Sequence, residues 1–208
     1  MSLLGVHAEH AITVFMAFFA VMNPVAVTAI FSGLTAQADA CEKRRVAFKS
    51  LLIAFLLILA FSLLGKMIFH LFGISLPALR ITGGILLFVV GYQMLHGTSS
   101  KLQTAEKQDG TDVAVSPLAV PILAGPGTIS TAINYSAAGG WFEVVATILA
   151  FFSLSVITYF CFVFSAKLLN FIGVNGLRMI TSLMGLIISV VGIQMIIVGI
   201  KGAIALPL

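Results

Sequence analysis

From about Val113 to Ala138, an apolar run long enough to cross a bilayer carries Gly125-Pro126-Gly127-Thr128 at its centre. In water that tetrapeptide would be a turn. Inside a bilayer, backbone N–H and C=O groups must be received by protein or by a water-lined cavity. Pro126 has no N–H and its ring clashes with the preceding turn, so a helix here must kink, or stop and restart. A restart at Pro126 suits its fixed φ at a first helical position, and it leaves free N–H groups within the membrane. A second break of this kind, Asn23-Pro24, interrupts the apolar run from about Ala11 to Leu34. The two prolines stand 102 positions apart.

Two such runs need a membrane around them, and the composition supplies the reason to place one there. Of the 208 residues 60% are apolar and 9% charged, far from the balance of a water-soluble domain. The chain reads as an integral membrane protein whose loops are too short for a separate soluble domain. Its net charge of +4 calls for no nucleic acid, because Lys and Arg in cytoplasmic loops account for it. Cys41 and Cys161 make no disulfide framework and read as an incidental thiol and a small core residue. His7, His10, His70 and His96 sit near span ends and form no metal-ligand cluster, so no metal and no cofactor are expected. Ala36-Gln37-Ala38 looks like a signal-peptide cleavage site, but no Lys or Arg precedes the first apolar run. That run is also too long for a signal core, so it is expected to stay in the protein.

Six apolar segments are expected, at about 11–34, 50–72, 74–96, 113–138, 142–166 and 180–200. Phe72-Gly73-Ile74-Ser75-Leu76-Pro77 forms a tight join between the second and third. Loop 36–49 carries Lys43, Arg44, Arg45 and Lys49; loop 97–112 carries Lys101 and Lys107; loop 167–179 carries Lys167 and Arg178. Placing these three loops inside puts eight of the eleven basic residues there and leaves Lys66, Arg80 and Lys201 outside. The positive-inside rule then sets both termini in the periplasm.

The chain also repeats itself. At an offset of 102, Pro24 matches Pro126 and Thr28 matches Ser130. At 101, Gly84 matches Gly185, Gly91 matches Gly192, Gln93 matches Gln194 and Met94 matches Met195. At 100, Phe72-Gly73-Ile74 matches Ile172-Gly173-Val174. The expected division is therefore 1–98 and 113–208 as two three-helix repeats, joined by a polar cytoplasmic linker at 99–112. Three crossings per repeat is an odd number, so the second repeat inserts upside down. The expected fold class is all-α, a polytopic membrane protein of six segments in two inverted repeats, with the first and fourth interrupted. Many secondary transporters share this plan and hold substrate near the midplane, where discontinuous helices meet.

Gly185, Gly192 and Gly199 recur every seven residues, and Gly84 and Gly91 share that spacing, as expected of helices packed backbone to backbone in lipid. Gln93 and Gln194 need partners if buried, and either helix-to-helix bonding or substrate contact would supply them.

Several stretches resemble the MarC family of bacterial membrane proteins. They are Phe19 to Phe31 with Asn23-Pro24, Leu79-Arg80-Ile81-Thr82-Gly83-Gly84, and Pro117-Leu118-Ala119-Val120-Pro121 leading into Ala124-Gly125-Pro126-Gly127-Thr128-Ile129. Leu183-Met184-Gly185 and Gly192-Ile193-Gln194 fit as well, so the resemblance covers nearly the whole chain. That family is also called the small neutral amino acid transporter family. The resemblance implies six spans, a bacterial inner membrane and, for some members, uptake of glycine, alanine or serine. Where the family often has Arg-Leu-Met-Gly near the last span, this chain has Ser182 in place of the Arg. Arg178 lies one helical turn earlier on the same face.

The residues expected to hold substrate are Asn23, Pro24, Thr28, Gly125, Pro126, Gly127, Thr128, Ser130, Gln93 and Gln194. Arg80 and Arg178 are expected in gating or structural roles. An unwound helix start offers N–H groups and a positive dipole end to an anion such as a carboxylate. A proline that only kinks its span is the plainer alternative. No Asp or Glu lies inside an expected span, since Glu9 and Glu143 mark outer ends, and no nucleotide-binding or protease motif appears. The chain is accordingly expected not to be an enzyme. The function expected is transport of a small neutral amino acid or similar polar metabolite. A channel or passive pore, or a non-transporting membrane scaffold, are the alternatives. The implied partners are a small-molecule substrate and the lipid bilayer, with room for a homo-oligomer.

Overall fold

The computed structural model describes residues 3–73, 75–96, 118–119, 122–137 and 139–205. Among these residues every regular element is a helix. In chain order they are α1 (Leu3–Met22), α2 (Pro24–Leu34), α3 (Ala40–Phe72), α4 (Leu76–Leu95), α5 (Pro126–Ala137), α6 (Trp141–Val163) and α7 (Ser165–Ala205). The linker expected at 99–112 lies outside the described residues.

Among the described residues five stretches are long and apolar enough to cross a membrane: Glu9–Leu34, Ala40–Gly65, Leu76–Leu95, Trp141–Val163 and Asn175–Ile204. The expected fourth span, 113–138, is not among them. Its described part ends in α5, whose 12 residues rise only about 18 Å against a hydrocarbon core of about 30 Å. Polar side chains Thr128, Ser130, Thr131, Asn134 and Ser136 are buried on this short helix, so it is an interior element rather than a lipid-facing one.

Two expected loops are largely helical instead, although 36–39 stays a turn and 167–179 contains a break. Asp39 opens α3 by accepting from Glu42 N–H through Oδ1 at 2.7 Å, and its carbonyl accepts from Lys43 N–H at 3.0 Å. A capped start with Glu42 in the first turn carries the helix through Lys43, Arg44, Arg45 and Lys49, good helix formers that extend it beyond the apolar section. The stretch 167–179 is helical on both sides of a break at Gly173 (φ 67°, ψ 168°), where two helical parts of α7 meet. Gly73, at φ 64°, ends α3 in the same left-handed region. Ser75 then caps α4 by accepting from Ala78 N–H at 3.3 Å. Both glycines fill positions that L side chains rarely adopt.

The helices share two apolar clusters. The larger joins Val14, Phe18 and Met22 of α1, Phe31 of α2, Leu51 and Ile58 of α3, and Phe151, Leu154 and Phe162 of α6. Phe31 stacks on Phe162 with ring centroids 4.3 Å apart, and Phe18 meets Phe151 edge to face at 5.2 Å. The smaller cluster joins Ala20 of α1, Leu87 and Met94 of α4, and Ile188 and Met195 of α7. Because lipid tails are as apolar as these side chains, what holds the bundle is close packing and interhelical bonding rather than escape from water.

Closest packing occurs where α4 runs antiparallel to α7. A Cβ placed on Gly84 would lie 2.5 Å from the Gly192 carbonyl oxygen, and one on Gly192 would lie 2.5 Å from that of Gly84. Gly91 and Gly185 face each other in the same way, at 2.5 and 2.8 Å. The glycine stripe thus brings two backbones into direct contact, as the seven-residue spacing predicts. Around this seam α2 packs on α6 and α7, while α5 packs on α3 and α4.

Candidate functional site

The first break is built at Asn23. Its N–H closes the last turn of α1 by donating to the Phe19 carbonyl at 3.0 Å. Pro24 has no N–H to continue that ladder, and Asn23 turns into the left-handed region at φ 45°, ψ 76°. Asparagine is one of the few residues with a Cβ that tolerates this conformation. From there it starts α2, its carbonyl accepting from Val27 N–H at 3.0 Å and its Oδ1 from Ala26 N–H at 3.3 Å. Asn23 is only 3% exposed, yet its Nδ2 has no partner among the described residues.

The second break is built without a capping side chain. Ala124 N–H reaches back to the Ala119 carbonyl at 2.9 Å, a wide turn one residue longer than an α turn. Gly125 follows, and its carbonyl accepts from Ile129 N–H at 3.0 Å once Pro126 has begun α5. Thr131 returns its hydroxyl to the Gly127 carbonyl at 2.8 Å, as Thr28 does to the Pro24 carbonyl at 2.6 Å in α2. Ser130 does not: it is 6% exposed, and its Oγ has no partner among the described residues. Among the described residues four buried side-chain polar atoms lack a partner: Asn23 Nδ2 and Ser130 Oγ, one at each break, and His10 Nε2 and Ser62 Oγ elsewhere; such groups normally cost about 1–3 kcal/mol each.

The breaks adjoin each other. A methyl group on Gly127 would come within 3.2 Å of Val21 Cγ1, two residues before Asn23, and within 3.1 Å of Leu87 Cδ2 on α4. One turn further along α5, a Cβ on Gly83 would fall on Ser130 Oγ and lie 3.3 Å from Met195 Cε of α7. A further turn on, Arg80 Nε donates to Asn134 Oδ1 at 3.0 Å. Thus α4 and α5 run antiparallel in a simple ladder, with Leu87 opposite Gly127, Gly83 opposite Ser130 and Arg80 opposite Asn134.

Of the residues expected to hold substrate, Asn23, Pro24, Thr28, Gly125, Gly127, Thr128 and Ser130 are buried at or beside the breaks. Pro126 is exposed while it starts α5, so its role is that of a helix start. Gln93 is half-buried on α4, but Gln194 is exposed on α7 and is not part of this interior. Seven-residue glycine spacing puts one stripe of α7 on α4, and Gln194 falls off that stripe. Arg178 is also exposed, lining an open groove of about 460 Å³ with Asn175, Met179, Ser182 and Leu183. Arg80 is half-buried and its Nε bonds to Asn134 of α5. Asn134 was not legible as a partner from sequence. Its four-residue spacing from Ser130 puts both on one face of a helix, the single local signal that would have marked it.

A family model described as MarC family integral membrane protein matches residues 8–204. The chain is 37% identical over 196 residues to the membrane protein YvbG of Bacillus subtilis, covering 91% of this chain and 93% of that one. It is 39% identical over 191 residues to a membrane protein of Pyrococcus abyssi, with the same coverage of 91% and 93%. It is 30% identical over 194 residues to the inner membrane protein MarC of Citrobacter koseri, covering 86% of this chain and 88% of that one. No solved structure matches. The chain belongs to the MarC family of integral membrane proteins.

Proposed function

We propose that this protein is a secondary transporter of the bacterial inner membrane. Its substrate is a small neutral amino acid or a similarly small polar metabolite, held near the midplane between the two helix breaks. The observation that carries this reading is the pair of adjoining breaks, each keeping a buried polar atom without a partner among the described residues: Asn23 Nδ2 at one and Ser130 Oγ at the other. A packing kink gains nothing from an unsatisfied donor, whereas a binding site needs donors and acceptors that a ligand completes. The work assigned to the chain is binding and movement of solute, with no chemical step.

The proposed architecture is two inverted three-helix repeats, and the glycine seam supports it. Exchanging each residue for its counterpart 101 positions away turns the contact of Gly84 with Gly192 into that of Gly185 with Gly91, and both contacts are present. The same exchange turns the packing of α2 on α6 and α7 into that of α5 on α3 and α4. Both termini are then on one face, outside by the bias of basic residues. A reporter fused after Leu208 should read periplasmic; a cytoplasmic reading would remove the inverted arrangement.

The function is tested by reconstitution. Radiolabelled glycine, L-alanine and L-serine are offered to proteoliposomes, and at least one should enter with saturable, stereoselective kinetics where chirality allows. Flux that rises linearly with concentration would favour a pore. Absence of flux for every solute tried would leave a scaffold.

A further inference from the structure

Arg80 is a half-buried cation near the start of α4 whose hydrogen bonding among the described residues is one bond from Nε to the neutral Asn134 carbonyl oxygen, at 3.0 Å. No carboxylate among the described residues pairs with it, and its terminal nitrogens keep their N–H groups unengaged there. A guanidinium drawn into a membrane bundle against a neutral amide is an expensive arrangement, which an anion at its open fork would relieve. The Asn134 bond fixes the plane of that fork. The ladder between α4 and α5 sets it one helical turn beyond the unpartnered Ser130 Oγ, along the path that leads to the breaks.

Among the described residues the repeat-related position at the opposite mouth has no equivalent pair. At the offset of 101 that pairs α4 with α7 the counterpart of Arg80 is Thr181, followed by Ser182, and the counterpart of Asn134, 102 positions earlier, is Ser32. Arg178, the nearest cation in sequence, stays on the exposed side of α7. Among the described residues the internal symmetry is therefore broken at this pair, by one charge and the amide that orients it.

Resting on the transport reading above, we propose that Arg80 and Asn134 form a carboxylate-recognising vestibule at one mouth of the path. Arg80 captures the carboxylate of an amino acid before the solute moves one or two turns inward to the breaks, and Asn134 positions it. Substrates with a free carboxylate are selected over their amides, and the transporter is sided. With the basic loops inside, this mouth opens to the periplasm.

The test compares uptake from the two faces, in vesicles of right-side-out and inside-out orientation, using whichever of glycine, L-alanine and L-serine is transported. The KM measured from the Arg80 face should be lower than that from the other face. Arg80→Gln should raise the KM on its own face about tenfold and leave the opposite face unchanged. Asn134→Asp keeps the size of the side chain and strengthens its bond to Arg80, but it neutralises the fork. It should raise KM on the same face while the protein remains folded and monodisperse. The amide of the transported amino acid should compete weakly from the Arg80 face in the wild type, and the carboxylate form should lose its advantage in Arg80→Gln. Equal competition by amide and acid, or KM changes that are absent or alike on both faces, would overturn the vestibule while leaving the transporter reading intact. Wild-type vesicles with no saturable flux from either face would instead bring down the transporter reading, and the vestibule with it.

Discussion

Gly84→Ala should lower the melting temperature of the purified protein sharply, whereas Gly33→Ala should leave it level or raise it. The chemical change is identical, one methyl group on a helical glycine. At Gly84 the new carbon would lie 2.5 Å from the Gly192 carbonyl oxygen, 2.7 Å from Ile196 Cγ1 and 3.0 Å from Ile196 N. Two of those neighbours are backbone atoms of α7, so no rotamer change relieves the contact and the two helices must separate. Overpacking of this kind costs about 1–3 kcal/mol and more where backbone must move. At Gly33 nothing lies within 4 Å, and alanine gains about 0.5–1 kcal/mol over glycine in a helix. Thermal unfolding followed in one detergent checks both. Equal melting temperatures for the two variants would mean that the seam between α4 and α7 is looser than described.

Asn23→Gly should abolish most substrate affinity at little cost in stability, and Asn23→Ala should lose both. Glycine adopts φ 45° without strain and replaces an N-cap for only a few tenths of a kcal/mol, so the break keeps its shape while Nδ2 disappears. Alanine also removes the Oδ1 cap over Ala26 N–H, worth about 1 kcal/mol, and adds a left-handed penalty of about 1–2 kcal/mol. If Nδ2 donates to a charged carboxylate, its loss should weaken binding by about 1.5–3 kcal/mol, or roughly ten- to a hundredfold. A break that only kinks the span predicts the reverse pattern: affinity in the folded fraction stays constant in both variants and only stability moves.

How far the sequence reaches can be judged at these same positions. Asn23-Pro24 and Gly125-Pro126 are legible because a missing N–H is a local property that no tertiary context restores. The seam is legible because glycine spacing records which stripe of a helix meets another backbone. Charged loops were misjudged where Lys and Arg, good helix formers, follow a cap such as Asp39: apolar runs mark where lipid lies, not where a helix begins. The fourth segment shows the opposite difficulty. Hydropathy sees one long run, while the wide turn at Ala124 and the short, polar α5 depend on neighbours that bury Thr128, Ser130 and Asn134. Gln93 and Gln194 share a register in sequence, but one is half-buried and the other exposed, because repeat counterparts are held only loosely equivalent by the surfaces around them. The bond between Arg80 and Asn134 spans 54 positions, and no periodicity within one segment encodes such a pairing.

The central claim is that the two breaks form one site, and a double-mutant cycle on affinity tests it most directly. Dissociation constants of the transported amino acid are measured for the wild type, Asn23→Gly, Ser130→Ala and the double variant, in one preparation with folding checked by melting. A ligand held by both residues predicts that each single change weakens binding. It also predicts that the double change departs from their sum by about 0.5 kcal/mol or more, since groups sharing a partner are not additive. Unchanged affinity in both single variants would contradict the account.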